Sequence, residues 1–230
     1  MSEDILNQLD KVTKKRKDGI NGKQKGKRTE GWFADKLSEV SGLHFHRIYT
    51  SGASVGQTNS KRLDVLTQGQ AESQLGDIQS PEDLKHYLLW ESKGYADLDF
   101  NNLMSIGSSK KLIGWLEELE YDIESATTRM KDNHRQVAGF LVIKITRKGS
   151  WIVGNLDYLV KVFGNIKLNN YLTFEHTTRD SLLKIGFGKN YFMTDFEEFI
   201  NNNKHIFEVD TERLERLEKA KEAYKKILEG

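Results

Sequence analysis

The chain contains no cysteine. This absence excludes disulfide bonds, thiolate catalysis and any zinc site built on cysteine, so a bound metal would need oxygen or histidine ligands. No apolar run approaches the ~20 residues needed to cross a membrane. The N-terminal residues MSEDILNQLD are too acidic and polar for a secretory signal. We therefore expect a cytoplasmic protein with no membrane partner and one domain within its 230 residues.

Positive charge is concentrated near the N-terminus, although the net charge of the whole chain is only +1. Residues 11–28, KVTKKRKDGINGKQKGKR, carry nine Lys or Arg and a single acid. This composition is typical of a flexible arm that binds a phosphate backbone, although basic tails also serve solubility or targeting. We assign residues 1–28 to such an arm. Its candidate DNA contacts are Lys14, Lys15, Arg16, Lys17, Lys23, Lys25, Lys27 and Arg28.

Hydrophobic spacing predicts an order of helices and strands typical of an α/β protein. Thr29 to Val40 has the spacing of a helix and is followed by a glycine stop, and LHFHRIYT at 43–50 alternates as a strand does. A helix or two is expected within Ser105 to Met130, before a hairpin with the strands AGFLVIKI and SWIVG. YFMTDFEEFINNN predicts a strand edge and a short capped helix. A helix without an obvious cap ends the chain.

The stretch at residues 76–95, GDIQSPEDLKHYLLWESKGY, allows two interpretations. Ser80 precedes a proline and is a good helix start, but a helix continuing from it would direct Glu91 and Lys93 to different sides. The unbroken apolar run YLLW instead favours a buried strand over 87–93 after a short capped turn that begins at Ser80. Strand alternation then places Glu91 and Lys93 on one face.

This strand predicts a pair of neighbouring carboxylates. An adjacent strand ~4.8 Å away would set Asp77 beside Glu91, and two buried carboxylates need a cation between them. Hard oxygen ligands suit Mg²⁺ or Mn²⁺, and Lys93 would help to hold an attacking water. An isolated Glu-x-Lys is more often a solvated strand end. Asp64, in KRLDVL, is an alternative to Asp77 as the metal ligand.

A series of short motifs resembles a nuclease superfamily. GKRTEGWFADKL, YTSGAS, GDIQSP and WESKGY, with the helix that contains Trp115 and the Val/Ile hairpin after it, are similar to the PD-(D/E)XK nucleases and, among them, to phage-type Holliday junction resolvases. The resemblance covers residues 26–155, with Gly76 where the superfamily's name has proline. It implies a restriction-endonuclease-like α/β core with a mixed central β-sheet flanked by helices. We assign this core to residues 29–205 and a C-terminal helix to 206–230.

The resemblance also implies the residues of an active site. Asp77, Glu91 and the backbone carbonyl of Ser92 would bind Mg²⁺, with Mn²⁺ as a substitute. Lys93 would position the attacking water, and Glu30 would act through a second metal ion or a bound water.

The SGAS turn is a further candidate for contacts with DNA. Ser51 and Ser54 in this turn could bind a phosphate, although short Ser/Gly turns are usually only turns.

These features predict a metal-dependent DNA endonuclease, with a branched-DNA resolvase as the first expectation and, if the chain is phage-encoded, action in the host cytoplasm. The alternatives are a restriction- or repair-type nuclease, an exonuclease acting at DNA ends, and an inactive DNA-binding or assembly module. Cutting both strands of a junction needs two sites, so we expect a homodimer. The C-terminal helix offers a seam, unless its apolar stripe packs on its own core; the stripe is Leu214, Leu217, Tyr224 and Leu228.

Overall fold

The structure is a computed structural model that describes residues 24–48, 75–95, 109–129, 135–179 and 186–229. The elements before the parallel pair of strands are helix α1 (24–41), β1 (His46–Arg47) and β2 (Ile78–Gln79). That pair and the elements up to the next helix are β3 (Tyr87–Tyr95), α2 (Lys110–Arg129), β4 (Val137–Ile145), β5 (Gly149–Asn155) and α3 (Leu156–Phe163). The remaining elements are β6 (Leu172–Arg179), β7 (Gly186–Asp195), α4 (Phe196–Asn202), a 3₁₀ helix (Lys204–Phe207) and α5 (Thr211–Glu229).

The strands form a mixed seven-stranded sheet in the order β1-β2-β3-β4-β5-β7-β6. Strands β3 and β4 pair in parallel, from Tyr87 opposite Val137 to Tyr95 opposite Ile145, and the other neighbours are antiparallel. A parallel pair needs a crossover connection, and α2 lies in the connection between β3 and β4. The predicted mixed sheet with flanking helices is confirmed.

Strand β4 is almost continuously apolar and β3 is apolar from Tyr87 to Trp90, so the central pair of strands is buried on both faces along these residues. On one face Trp90 stacks on Phe140 with ring centroids 4.6 Å apart, in the cluster that includes Phe33 of α1. On the other face Leu141 belongs to the cluster of Leu116 from α2. Apolar burial on β3 ends after Trp90, so the polar residues that follow emerge at the carboxyl end of the central strand.

The strand interpretation of 87–93 is confirmed, and the competing helix is wrong. Ser80 does not cap a helix, since its hydroxyl donates to the carbonyl of Leu88 at 2.6 Å and accepts from Trp90 Nε1 at 3.1 Å. A turn at 82–83 follows it. The serine therefore fastens the segment after β2 to the buried strand.

Two boundaries differ from expectation. Residues 24–28, assigned to the basic arm, are helical and continue into α1, where Thr29 Oγ1 donates to the carbonyl of Lys25 at 3.0 Å. At the other end the terminal helix begins at Thr211 and is capped, because Asp210 Oδ1 accepts from the N–H of Arg213 at 2.9 Å. The expectation of an uncapped helix is therefore wrong. Residues 1–23 of the arm lie outside the described residues.

The helix predicted within 105–130 and the other predicted strands and helices agree with the structure, but among residues 43–48 the strand predicted over 43–50 is present only at His46–Arg47, and two unpredicted elements occur. The hairpin is β4 and β5, and Asp195 caps α4 by accepting from the N–H of Glu198 at 2.9 Å. Helix α3 and strand β6 were not predicted from the sequence. Within the described ranges, no helix is long and apolar enough to cross a membrane.

We predict that Gly76→Ala destabilises the protein more than Gly42→Ala. Both glycines have a positive φ, +78° and +72° respectively, which costs an alanine about 1–2 kcal/mol. An added Cβ at Gly76 would also lie 2.8 Å from the backbone oxygen of Trp90, whereas at Gly42 nothing lies within 4 Å. Urea unfolding should show a larger loss for Gly76→Ala, on the order of 2–4 kcal/mol with the added overpacking. Equal losses would contradict the close approach of the β2 segment to β3.

Candidate active site

Asp77 is fixed opposite Glu91 by the antiparallel register of β2 and β3, in which Ile78 pairs with Trp90. Its N–H donates to the Trp90 carbonyl at 2.8 Å, and its own carbonyl accepts from the N–H of Ile48 at 2.9 Å. Its side chain is also held, because Oδ2 accepts from the N–H of Ser92 at 2.9 Å. The predicted proximity of the two carboxylates is therefore present in the fold.

Glu91 and Lys93 project from the same face of β3, the face covered by α2. Lys93 Nζ donates to Glu91 Oε1 at 2.9 Å and to Glu118 Oε2 of α2 at 2.9 Å. The Glu91 side chain is only 14% exposed, whereas that of Glu118 is 55% exposed. The strand ends in two opposite charges because the ammonium compensates a carboxylate that is nearly buried.

This compensation is incomplete at Glu91. Burial, and then the neighbouring charge of Asp77, raise the pKa of Glu91 to about 8, although Lys93 acts in the opposite direction. Burial alone would lower the pKa of Lys93, but Glu91 and Glu118 outweigh it and raise that pKa above its ordinary value. In the metal-free chain, Lys93 thus carries a proton at neutral pH and Glu91 tends to keep one.

Two carboxylates of α2 belong to this site and were missed in the sequence. Glu118 binds Lys93, and Asp122 lies one helical turn further along the same side of α2. Burial, then Asp77 and Glu118, raise the pKa of Asp122 to about 6. In the sequence, both residues border the apolar stripe of α2. This feature does not single them out, because α2 also carries acids on its other side.

Glu30 approaches Asp77 from α1. Burial, followed by the charge of Asp77, raises the pKa of Glu30 above its ordinary value, while Arg47 and Lys27 oppose the shift. Its Oε2 accepts from Arg47 Nη1 of β1 at 3.4 Å. Glu30 is therefore placed beside the carboxylate pair as predicted, but it forms an ion pair with Arg47, which was not predicted to be in the site.

The carboxylate oxygen atoms of Asp77 and Glu91 suit a small divalent cation, although the described residues do not form a complete set of metal ligands. In the described part of the chain, no group of three or more His, Asp or Glu side chains is placed to hold a metal ion. Asp77 and Glu91 offer hard oxygen atoms, and a cation would stabilise the ionised form of Glu91, which burial and then the charge of Asp77 disfavour. The N–H of Ser92 faces Asp77, and in a strand the carbonyl of the same residue points the same way.

Of the predicted DNA contacts, some lie on α1 beside the site and the others fall outside the described residues. Lys25, Lys27 and Arg28 are exposed on α1. The remainder lie outside the described residues and stay predictions: Lys14, Lys15, Arg16, Lys17, Lys23, Ser51, Ser54 and the alternative ligand Asp64.

Comparison with known proteins gives one match. The family model described as "Phage putative PDDEXK endonuclease" matches residues 21–209, well beyond the predicted 26–155. The matched segment includes the whole described site and ends just before α5. No curated protein and no solved structure matches the chain. The resemblance to the PD-(D/E)XK superfamily and its restriction-endonuclease-like fold is confirmed.

The raised pKa of Glu91 predicts that the metal-free protein loses stability between pH 5 and 8. The folded state holds this proton up to about pH 8, whereas an unperturbed glutamate releases it near 4.5, so ionisation opposes folding in that interval. The effect is on the order of 1.4 kcal/mol per pH unit. Glu91→Gln removes it, so urea unfolding in EDTA should show the variant gaining on the wild type as pH rises.

The exposed Glu175 of β6 provides the control, because Glu175→Gln should follow the wild type at each pH. Added Mg²⁺ should raise wild-type stability at pH 8 and stabilise Glu91→Gln much less. Parallel curves for wild type and Glu91→Gln would refute the strained carboxylate pair.

Proposed function

Because the chain belongs to the phage PDDEXK endonuclease family, we propose that it hydrolyses DNA phosphodiester bonds at the site formed by Asp77, Glu91 and Lys93. The observation that carries the proposal is the set of contacts at the end of β3. Asp77 faces Glu91 across the β2–β3 pair, and Lys93 is bound to Glu91 on the same face. Enzymes of this superfamily generally use divalent metal ions, and we propose Mg²⁺, with Mn²⁺ as a substitute.

Asp77, Glu91 and the carbonyl of Ser92 would hold the metal ion. Such an ion, when bound, offsets charge on the phosphate oxygens and lowers the pKa of a coordinated water. Glu30 would act through a second ion or a water molecule. Its ion pair with Arg47 keeps this carboxylate next to Asp77 without leaving its charge unopposed.

Lys93 orients the reactants and stabilises charge. Its raised pKa keeps the ammonium protonated, which disfavours a role as general base. An ammonium has three N–H donors, and Glu91 and Glu118 accept from it, so one further donor can point to the attacking water or to a phosphate oxygen. Glu118 thus acts as a positioning residue for Lys93.

We propose branched DNA, a four-way junction in particular, as the natural substrate, met in the cytoplasm of the host cell. The similarity of WESKGY and its neighbouring motifs to phage-type resolvases supports this choice. The basic arm and the SGAS turn would contact the backbone without reading base sequence. The contacts would be Lys14, Lys15, Arg16, Lys17 and Lys23 of the arm, Lys25, Lys27 and Arg28 at the start of α1, and Ser51 and Ser54 of the turn.

We predict that Asp77→Asn and Glu91→Gln abolish Mg²⁺-dependent cleavage while DNA binding persists. Lys93→Ala should reduce turnover by at least ~100-fold, as expected for a positioned group in the transition state. The measurement is a cleavage panel on four-way, flap and linear duplex DNA, with Mg²⁺, Mn²⁺ or EDTA. The four-way junction should be cut fastest.

Glu175→Gln, on the far edge strand β6, is the matched control and should cleave as the wild type does. If Asp77→Asn or Glu91→Gln cleaved DNA at the wild-type rate, the role proposed for that residue in catalysis would be refuted. Faster cutting of linear duplex would favour a restriction- or repair-type enzyme, and no cleavage of any substrate would favour the inactive binding module.

We also propose a homodimer, since one described site per chain cannot cut two strands of a junction symmetrically. The apolar stripe of α5 would form its seam; the stripe is Leu214, Leu217, Tyr224 and Leu228. Light scattering over a concentration series should give a dimer for the full chain and a monomer for a chain ending at Asp210. A monomeric full chain bound singly to a junction would refute the dimer, and a dimeric truncation would refute only the seam.

A further inference from the structure

Three segments of the fold meet at Tyr95, the last residue of β3 and the second after Lys93. The Tyr95 carbonyl accepts from the N–H of Thr146 at 3.1 Å and from its hydroxyl at 3.3 Å, which brings the β4–β5 turn to the end of β3. Lys111 Nζ, in the first turn of α2, lies 3.7 Å from the centroid of the Tyr95 ring. The turn and the start of α2 therefore flank the strand end that carries the active site.

The described start of α1 closes a third side. Lys25 Nζ donates to Thr146 Oγ1 at 3.2 Å, which links α1 to the same turn. One turn further along α1, Thr29 lies so close to β3 that a Cβ on Gly94 would be 2.8 Å from its Oγ1. The first residues of α1 thus lie over the carboxyl end of β3.

The charges on these segments have one sign. Residues 24–28, 109–113 and 145–149 contain no Asp or Glu. They contribute a group of exposed cations that we call the basic rim: Lys25, Lys27, Arg28, Lys110, Lys111, Arg147 and Lys148.

The amino end of β3 differs from the carboxyl end in charge, because acidic residues lie beside it. The segment before it carries Glu82 and Asp83, and Lys85 there is paired with Glu208 at 3.1 Å. Asp210 is joined to the same segment through its N–H, which donates to the carbonyl of Asp83 at 2.8 Å. Among the described residues, cations from segments that contain no acid are therefore a property of the end of β3 that carries Lys93.

We propose that the basic rim binds the DNA backbone on both sides of the scissile phosphate and holds it over Lys93. Exposed cations from segments that contain no acid of their own suit a polyanion that passes across the site they flank, and contacts with phosphates do not require a particular base sequence. Tyr95 lies only ~6.6 Å beyond Lys93 along the strand, so rim contacts and chemistry would involve neighbouring nucleotides. The inference rests on the proposed nuclease function and assigns the surface that presents the substrate.

The test is a triple variant that removes three rim charges from three different elements, Lys25→Gln, Lys111→Gln and Arg147→Gln. Binding to a fluorescent duplex is measured over a range of salt concentrations, with Ca²⁺ in place of Mg²⁺ so that the DNA stays intact. The slope of log affinity against log salt should become shallower by about 3, since each lost phosphate contact contributes about 0.9. Affinity at moderate salt should fall at least ~10-fold.

A matched control removes three exposed lysines elsewhere, Lys161→Gln, Lys167→Gln and Lys204→Gln, with the same change in net charge. This control should bind as the wild type does, and a charge-retaining triple, Lys25→Arg, Lys111→Arg and Arg147→Lys, should also bind normally. Thermal unfolding verifies that all three proteins fold.

The outcomes separate this inference from the proposed function. If the wild type cleaves DNA but the rim variant and the control bind alike, the rim is refuted and the nuclease stands. If the charge-retaining triple binds as poorly as the rim variant, a charge-based rim is refuted as well. If the wild type neither binds nor cleaves DNA, both proposals fall.

Discussion

The burial of Glu91 beside Asp77 is the constraint on which the site depends. Burial, and then the neighbouring charge of Asp77, disfavour the ionised form of Glu91, and the single ammonium of Lys93 does not outweigh them, as the raised pKa of Glu91 shows. The surrounding structure holds the pair in place nonetheless. Asp77 is bound through its N–H, its carbonyl and its side chain to β3 and to the segment after β1, so it cannot turn away without breaking the sheet edge. A bound cation would turn this unfavourable pair into a favourable one.

Packing in the apolar core offsets the unfavourable free energy of burying these charged side chains. Directly before Glu91, Trp90 is fully buried, stacks on Phe140 and donates to Ser80. These contacts fix β3 along its length and in its register with β2, and the register decides which residue faces Glu91. A slip by one residue would put Ile78 opposite Glu91 and move Asp77 to the other face. The position of the Asp77 carboxylate opposite Glu91 is thus determined by the apolar packing of the residues next to Glu91, which explains why an apolar run and a charged triplet are adjacent in the sequence.

The sequence predicted the parts of the site that depend on local pattern. The run from Tyr87 to Trp90 followed by Glu-Ser-Lys identified the strand, its two-residue period placed Glu91 and Lys93 together, and a neighbouring strand suggested Asp77. Glu118 and Asp122 were missed because their role depends on how α2 is rotated over the sheet, and this helix has acids on several sides. Arg47 was seen on the predicted strand, but its pairing with Glu30 joins two elements whose relative position no local pattern gives. Helix α3 and β6 were not predicted, although Asn155 caps α3 and Gly164 ends it, which are signals that the sequence carries.

The carboxylates of an acidic site repel the phosphates of a nucleic acid. In the proposed function, two sets of positive charges around the end of β3 would offset this repulsion. Five carboxylates lie at or beside the candidate site, those of Glu30, Asp77, Glu91, Glu118 and Asp122, and within the described part of the chain Lys93 and Arg47 form ion pairs with three of them. Without further positive charge the backbone of DNA would be repelled at short range. A metal ion would act at the carboxylates themselves, over a few ångströms, whereas exposed lysines and arginines around Tyr95 act over about a Debye length and are screened by salt. In the proposed function the metal ion makes the chemistry feasible, and the exposed lysines and arginines bring the DNA to the site. DNA affinity and turnover should therefore depend on different residues of the same strand end.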